Sequence, residues 1–316
     1  SLTVLCLISP RVAGPMHIRA LSGRSPNESP TLLQDQNGFV IARSNPRQGK
    51  PRSIGMTEIR GPYYSVMGKR YLADVLETMG DHVDGLKFAG GSLNDYLGSF
   101  TLFQEKTLRE LIDLAHDNGV YVSTGGWAER LLTHPDPNTV FDRYLRKCKD
   151  LGFDIIELSS GFLSIPEDDW LRLVDKVQSY KLEPKPELGI QFGAGGDTPT
   201  SGLEAIGTSD PGKLINLGRK FLDAGFKRLM IESDGITENV NSWRTDGVSR
   251  IMKELPPERV IFEAADPKVF NWYIREFGVD VDLFVDHSQI AQLTCLRSGI
   301  WGTADTWGKI VTFRPN

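Results

Sequence analysis

The feature that most constrains this chain is a repeating beat. From Lys50 onward, short runs rich in β-branched residues alternate with longer amphipathic segments. That is the pattern of strands in a parallel sheet and of the helices that cover it. Eight strands are predicted, over Arg52 to Thr57, Val83 to Phe88, Val120 to Thr124, Asp154 to Leu158, Pro184 to Ile190, Arg228 to Ile231, Val260 to Glu263 and Val281 to Val285. Helices are predicted over Lys69 to Met79, Gln104 to Asn118, Pro137 to Leu151, Glu167 to Tyr180, Pro211 to Ala224, Trp243 to Leu255 and Pro267 to Phe277. Several of them end at glycine, as helix C-termini favour. Strand starts lie mostly some thirty to forty residues apart, the length of a strand, a helix and two loops. Eight units in about 265 residues predict an α/β fold, a single-domain (β/α)8 TIM barrel over residues 46–316. An open doubly wound sheet is the alternative. Residues 1–45 read as an irregular N-terminal extension, which carries Arg11, Arg19 and Arg24 before its first acid, Glu28. A disordered tail is the plainer reading of it, and a mitochondrial presequence the other.

Composition narrows the function. Thirty-six Lys and Arg stand against 41 Asp and Glu, a net charge of -5 over 316 residues. Such a balance argues against a surface built for nucleic acid or anionic lipid, and favours a small-molecule site. No apolar run reaches the ~18 residues of a membrane span. Cys6, Cys148 and Cys295 have no CxxC or Cys/His spacing, so a reducing, cytoplasmic location without structural zinc is expected. The six tryptophans serve packing first, with a homo-oligomer interface as the other use.

Barrel active sites gather at the C-terminal ends of the strands, and the polar residues gather there too. Glu157, Glu232 and Glu263 each close an apolar strand. Three converging carboxylates repel unless a cation compensates, and hard oxygen ligands suit Mg2+. Lys87 ends an otherwise apolar strand and should point into the mouth. With Arg52, Lys50 and Lys185 it could form a cationic receptor for a small anionic substrate. The plainer reading is that these cations balance the same glutamates. His287, after Asp286, is a candidate for acid and base work. Thr124 and Gln191 sit at strand ends as substrate contacts. Arg297, Ser298 and Gly299 follow strand 8, where barrels commonly bind phosphate. The stretch Gly193-Ala194-Gly195-Gly196-Asp197-Thr198 looks like a phosphate loop but lacks the lysine ending, and reads as a loop over the mouth.

An ordered set of motifs then resembles the phosphosulfolactate synthase family. It comprises Lys50-Pro51-Arg52 with Gly55 and Thr57, Val83-Asp84 leading to Lys87-Phe88 and Gly91-Ser92, and Gly152 to Glu157 with Ser159 and Gly161. Lys185-Pro186-Glu187-Leu188-Gly189, Ile261-Phe262-Glu263-Ala264 and Leu296-Arg297-Ser298-Gly299 complete it. The segments Thr57 to Tyr64 and Glu232 to Asn239 are similar to a fungal branch, related to the plant heat-stress-associated 32 kDa protein. The resemblance implies a TIM barrel that adds sulfite to phosphoenolpyruvate with Mg2+, giving (2R)-phospho-3-sulfolactate. In that chemistry Lys87 would be the acid or carboxylate clamp and Arg52 would hold phosphate or carboxylate, while Glu157, Glu232 and Glu263 would position the metal or the lysines. Two departures stand out: Ile190 and Gln191 follow Gly189 where the archaeal pattern has a lysine, and Ser233-Asp234-Gly235 replaces a more arginine-containing loop. Fewer cations imply an altered substrate. The alternatives are a barrel retained for heat-stress tolerance or partner binding, and a secondary-metabolite lyase or cyclase.

Overall fold

In the computed structural model the described residues are 31–62, 66–88, 98–159, 161, 163–195, 198–206 and 210–314. Residues 1–30 of the extension, the Tyr63-Tyr64 pair, Gly90-Gly91-Ser92 after the second strand, Ser160, and Gly196-Asp197 lie outside them.

Eight parallel strands close into a barrel in sequence order. They are β1 (Thr57–Arg60), β2 (Gly85–Lys87), β3 (Tyr121–Ser123), β4 (Ile155–Ser159), β5 (Glu183–Leu188), β6 (Leu229–Ile231), β7 (Val260–Glu263) and β8 (Asp282–Asp286), with β8 returning to pair with β1. Helices α1 (Lys69–Met79), α2 (Glu105–Asp117), α3 (Pro137–Leu151), α4 (Glu167–Ser179), α5 (Thr200–Ile206), α6 (Gly212–Asp223), α7 (Thr245–Glu254), α8 (Pro267–Phe277) and α9 (Ile290–Ser298) fill the connections. The predicted bounds of α1, α3 and α8 are met to the residue. Helix α3 shows why: Asp136 caps its first turn by accepting from Thr139 N, Pro137 opens it, and Gly152 takes a left-handed conformation (φ 104°) after it. Helices α5 and α9 were not expected.

Strand β1 is displaced from its expected place. Arg52 to Thr57 leads up to the barrel, and the strand itself is Thr57–Arg60. The sequence hides it because Glu58 and Arg60 alternate with Thr57 and Ile59, so their charges read as surface when they face the barrel interior. Two cores result. Leucines, isoleucines and phenylalanines of the helices pack on the outer face of the sheet. Inside the barrel lies a separate apolar cluster of Met230, Ile261 and Phe284. Burial of each such side chain contributes roughly 1.5–3 kcal/mol. The other half of the interior is charged.

Candidate active site

The charged half is built in layers by the period-two alternation of the strands. In the lower layer Lys185, 2% exposed, donates to Glu58 Oε1 and Oε2 at 2.6 and 2.8 Å, and the Tyr121 hydroxyl donates to Glu58 Oε2 at 2.6 Å. Glu157 stands between the layers: Lys185 Nζ lies 3.2 Å from its Oε2 and Lys87 Nζ 2.8 Å from its Oε1. Lys87 also donates to Glu187 Oε2 at 2.7 Å and rests 4.6 Å from the centre of the Phe284 ring. At the top Arg60 pairs with Glu263 Oε1 at 2.6 Å. Glu187, Glu232 and Glu263, all buried, offer oxygens within 4.8 Å of one another.

Burial and crowding set the protonation. Burial, then the charge of Glu187, push Glu157 up to about 8, against the pull of Lys87 and Lys185. Glu232 stands well above the usual carboxylate range for burial and for the repulsion of Glu263 and Glu187. Burial would raise Glu187 as well, but Lys87 brings it below its ordinary value. Burial works against the Lys87 cation, yet Glu157 and Glu187 outweigh it and hold the ammonium charged. Glu58, Glu157, Glu187, Glu232 and Glu263 outnumber Lys87, Lys185 and Arg60 by five to three. With protons held on Glu157 and Glu232 the charges balance, and a divalent cation between Glu187, Glu232 and Glu263 would take the place of the Glu232 proton; three buried carboxylates fit a hard, oxygen-seeking ion.

The expected residues separate into two groups. Lys87, Glu157, Lys185, Glu232 and Glu263 meet at the mouth or just beneath it. Thr124 lies at the end of β3, where its hydroxyl accepts from Glu157 N at 3.3 Å. Gln191 lies beyond β5, donating to Leu203 O at 3.0 Å. His287 Nδ1 donates to Arg60 O at 2.9 Å, and Tyr71 packs edge-on against the ring. Glu157 contacts the lysines, one of the two roles expected of it, and Glu187 takes its place in the acidic trio. Lys185 is likewise enclosed by carboxylates, as the charge-balancing alternative expected.

Lys50, Arg52, Arg297, Ser298 and Gly299 are corrected in place, since all five lie at the opposite, N-terminal end of the barrel. Arg52 pairs with Asp84 at 2.9 Å, just before β2, and Lys50 donates to Gly80 O and Asn118 O. The cause for Arg52 and Lys50 is the displacement of β1. Helix α9 runs back along the barrel, so its last turn is remote from the mouth. There Arg297 is fully buried and donates to Val279 O and, at 3.1 Å, Met56 O. Ser298 O accepts from Asn45 N, and a side chain on Gly299 would meet Asn45 and Ile310 O at 3.0 Å. In the described part of the glycine loop the amides are taken up within the fold: Gly193 N, Ala194 N and Gly195 N donate to Gly161 O, Gln191 O and Asp234 Oδ2. It does fold over the mouth, since a Cβ on Gly195 would lie 2.7 Å from Glu232 Oε2.

Sequence reasoning missed Glu58, Arg60, Tyr121, Glu129 and, as a metal-site member, Glu187. A signal existed for Glu187, two residues from Lys185 on one strand face, and for the Glu58/Arg60 alternation. Glu129 gave none: it lies in a 3-10 turn after β3, accepts from Ser159 N, and is pushed up to about 8 by burial.

Similarities to known proteins agree with this geometry. Residues 45–303 match the family model of (2R)-phospho-3-sulfolactate synthase (ComA). The chain belongs to that family. Within it, the chain is 38% identical over 263 residues to the protein HEAT-STRESS-ASSOCIATED 32 of Arabidopsis thaliana, covering 79% of this chain and 88% of the relative. It is 26% identical over 272 residues to the phosphosulfolactate synthase of Methanothermobacter thermautotrophicus, covering 84% and 96%. The carboxyl transferase domain of Rhizobium etli pyruvate carboxylase shares the fold alone, with TM-score 0.51 and 12% identity over 74% of this chain and 40% of that one. Among the described residues no helix is long and apolar enough to cross a membrane.

Proposed function

We propose that this member of the phosphosulfolactate synthase family is a carbon–sulfur lyase-type enzyme that adds sulfite to phosphoenolpyruvate, or runs a related addition on a small anionic substrate, with Mg2+. The observation that carries the reading is the buried trio Glu187, Glu232 and Glu263, whose oxygens lie within 4.8 Å of one another at the C-terminal end of the barrel. Bound there, the metal would polarise substrate oxygens and stabilise the charge that grows on the carboxylate as sulfur bonds to C3. The protein's own groups do the rest. Lys87 keeps Glu187 ionised and turned toward the trio. Arg60, stacked at 5.3 Å over Phe284 and paired with Glu263, is the cation at the rim, in the role first expected of Arg52. The addition ends with a proton delivered to C2. Lys87 is held strongly in its charged form by Glu157 and Glu187, which suits it to balance charge at the mouth rather than to release that proton.

A second reading follows from a specific observation: Lys87 and Lys185 are both enclosed by carboxylates, and the chain is more similar to the heat-stress-associated protein than to the archaeal synthase. A barrel kept for stress tolerance would retain such a network for stability. The two readings part in one assay of the purified protein with phosphoenolpyruvate, sulfite and Mg2+, each omitted in turn. Sulfonated product requiring all three supports the lyase. Neither product nor a Mg2+-dependent rise in melting temperature would sink it.

A further inference from the structure

Among the described residues the buried arginines meet a carboxylate or backbone carbonyls, and Arg244 has neither among its side-chain contacts. Arg52 has Asp84, Arg60 has Glu263, and fully buried Arg297 is turned onto two backbone carbonyls. Arg244, 8% exposed, has among the described residues no carboxylate partner and one long side-chain hydrogen bond, from Nη1 to Gln191 Oε1 at 3.4 Å. A guanidinium carries five N–H donors and keeps its charge at any physiological pH. Taking such a group out of water without a counter-charge is unfavourable, and an arriving anion would offset that cost.

The surroundings are arranged to receive one. Arg244 lies on the loop after β6, at the mouth end, and its backbone N donates to Ile236 O at 2.9 Å, which doubles the loop back. Gln191 is fixed by its bond to Leu203 O, so its amide oxygen, and no acid, faces the guanidinium. Gly235 adopts φ 79°, and a side chain there would come within 3.1 Å of Ile190 and 4.0 Å of Arg244 Nη1. Bare backbone keeps that approach open. The same loop carries Glu232, whose Oε1 accepts from Asp234 N at 3.0 Å, so the acidic trio and Arg244 are tied together.

We propose that Arg244, oriented by Gln191, is the anchor of an oxyanion subsite at the mouth that takes a tetrahedral oxyanion, the phosphate of the substrate or the sulfonate formed in the product. This rests on the reading of the mouth as a small-anion site and adds the group recognised and the residue that recognises it. The guanidinium fork presents parallel donors to two oxygens of a tetrahedral anion, which a lysine cannot do.

Calorimetric titration of the full chain with inorganic phosphate, with methanesulfonate and with acetate tests it, alongside Mn2+ titration followed by electron paramagnetic resonance. R244Q is expected to weaken the binding of phosphate or methanesulfonate by about tenfold or more, the loss of one charge-assisted pair, while Mn2+ affinity stays as in the parent. Whichever of the two anions is bound more tightly identifies the group. R244K keeps the charge without the fork and should lose affinity by a smaller factor, which covers the case in which R244Q does not fold. Equal anion affinity in parent and variants, no anion binding by the parent, acetate bound as tightly as the tetrahedral anions, or Mn2+ affinity falling in step would each overturn the proposal. Absence of sulfonated product with the R244Q effect intact would remove the sulfite reaction and leave this subsite standing.

Discussion

The two ends of the barrel are made of the same materials and arranged to opposite effect. At the N-terminal end Arg52, Arg228, Arg297 and Arg314 alternate with Asp84, Asp280 and Asp282: Arg314 grips both oxygens of Asp280 at 2.7 Å, and Asp84 and Asp282 accept from Thr57 N and Met56 N. Guanidinium groups and backbone amides take up most of these carboxylate oxygens, and the segment leading into β1 is locked to α9 and to the starts of β2 and β8. At the mouth the lysines are spent on Glu58, Glu157 and Glu187, and the remaining carboxylates face one another. The first arrangement is cross-linked by guanidinium groups, and the second holds its crowded carboxylates together by protonation, a place that a cation can take. Buried charge is therefore no mark of a site; the sign left over after local pairing is.

The sharpest way to break this contrast is Lys87→Ala. Removing the cation between Glu157 and Glu187 leaves two buried carboxylates facing each other, and breaking such a pair costs about 3–5 kcal/mol. A fall of many degrees in melting temperature is expected, together with loss of any turnover; an unchanged melting temperature would show that the mouth is wetter than its burial indicates. At the other end Arg52→Ala should destabilise by about 1–3 kcal/mol through the orphaned Asp84, with Mn2+ affinity as in the parent. A change in metal affinity would refute the separation of the two ends.

The pH dependence of stability probes the N-terminal end again. Burial, then Arg47 and Arg52, push His82 down to about 4. The unfolded chain takes up that proton near 6.5, so the folded state binds fewer protons and stability is lost as pH falls from about 6.5 towards 4. His82→Asn should flatten that part of the denaturant-midpoint profile, and a parallel profile would dissociate the histidine from it. The smallest effect is a gain. Without metal, Glu232→Gln should raise stability by on the order of 1 kcal/mol by relieving repulsion from Glu263 and Glu187, and should abolish the stabilisation that Mg2+ gives the parent. A variant still stabilised by Mg2+ would place the ion elsewhere.

What the sequence determined by itself was the barrel. Strand and helix periods are local, and α1, α3 and α8 carry their start and stop signals within a few residues, as Asp136, Pro137 and Gly152 do. It also determined that glutamates stand towards the ends of β4 and β7 and that Lys87 ends β2. Only the tertiary structure decided which end of the barrel each charge occupies and which charges cancel. Shifting β1 to Thr57–Arg60 exchanged Arg52 for Arg60 at the mouth, because charges inside a barrel look, along the chain, like charges on a surface. Arg297 went to the far end because a helix spans the full barrel height between its two ends. Glu157 and Glu187, thirty residues apart, exchanged roles according to which faced Lys185 and which faced Glu232. Arg244 could not be told from any other arginine until its burial and its missing carboxylate were seen together, since pairing is a property of neighbours in space.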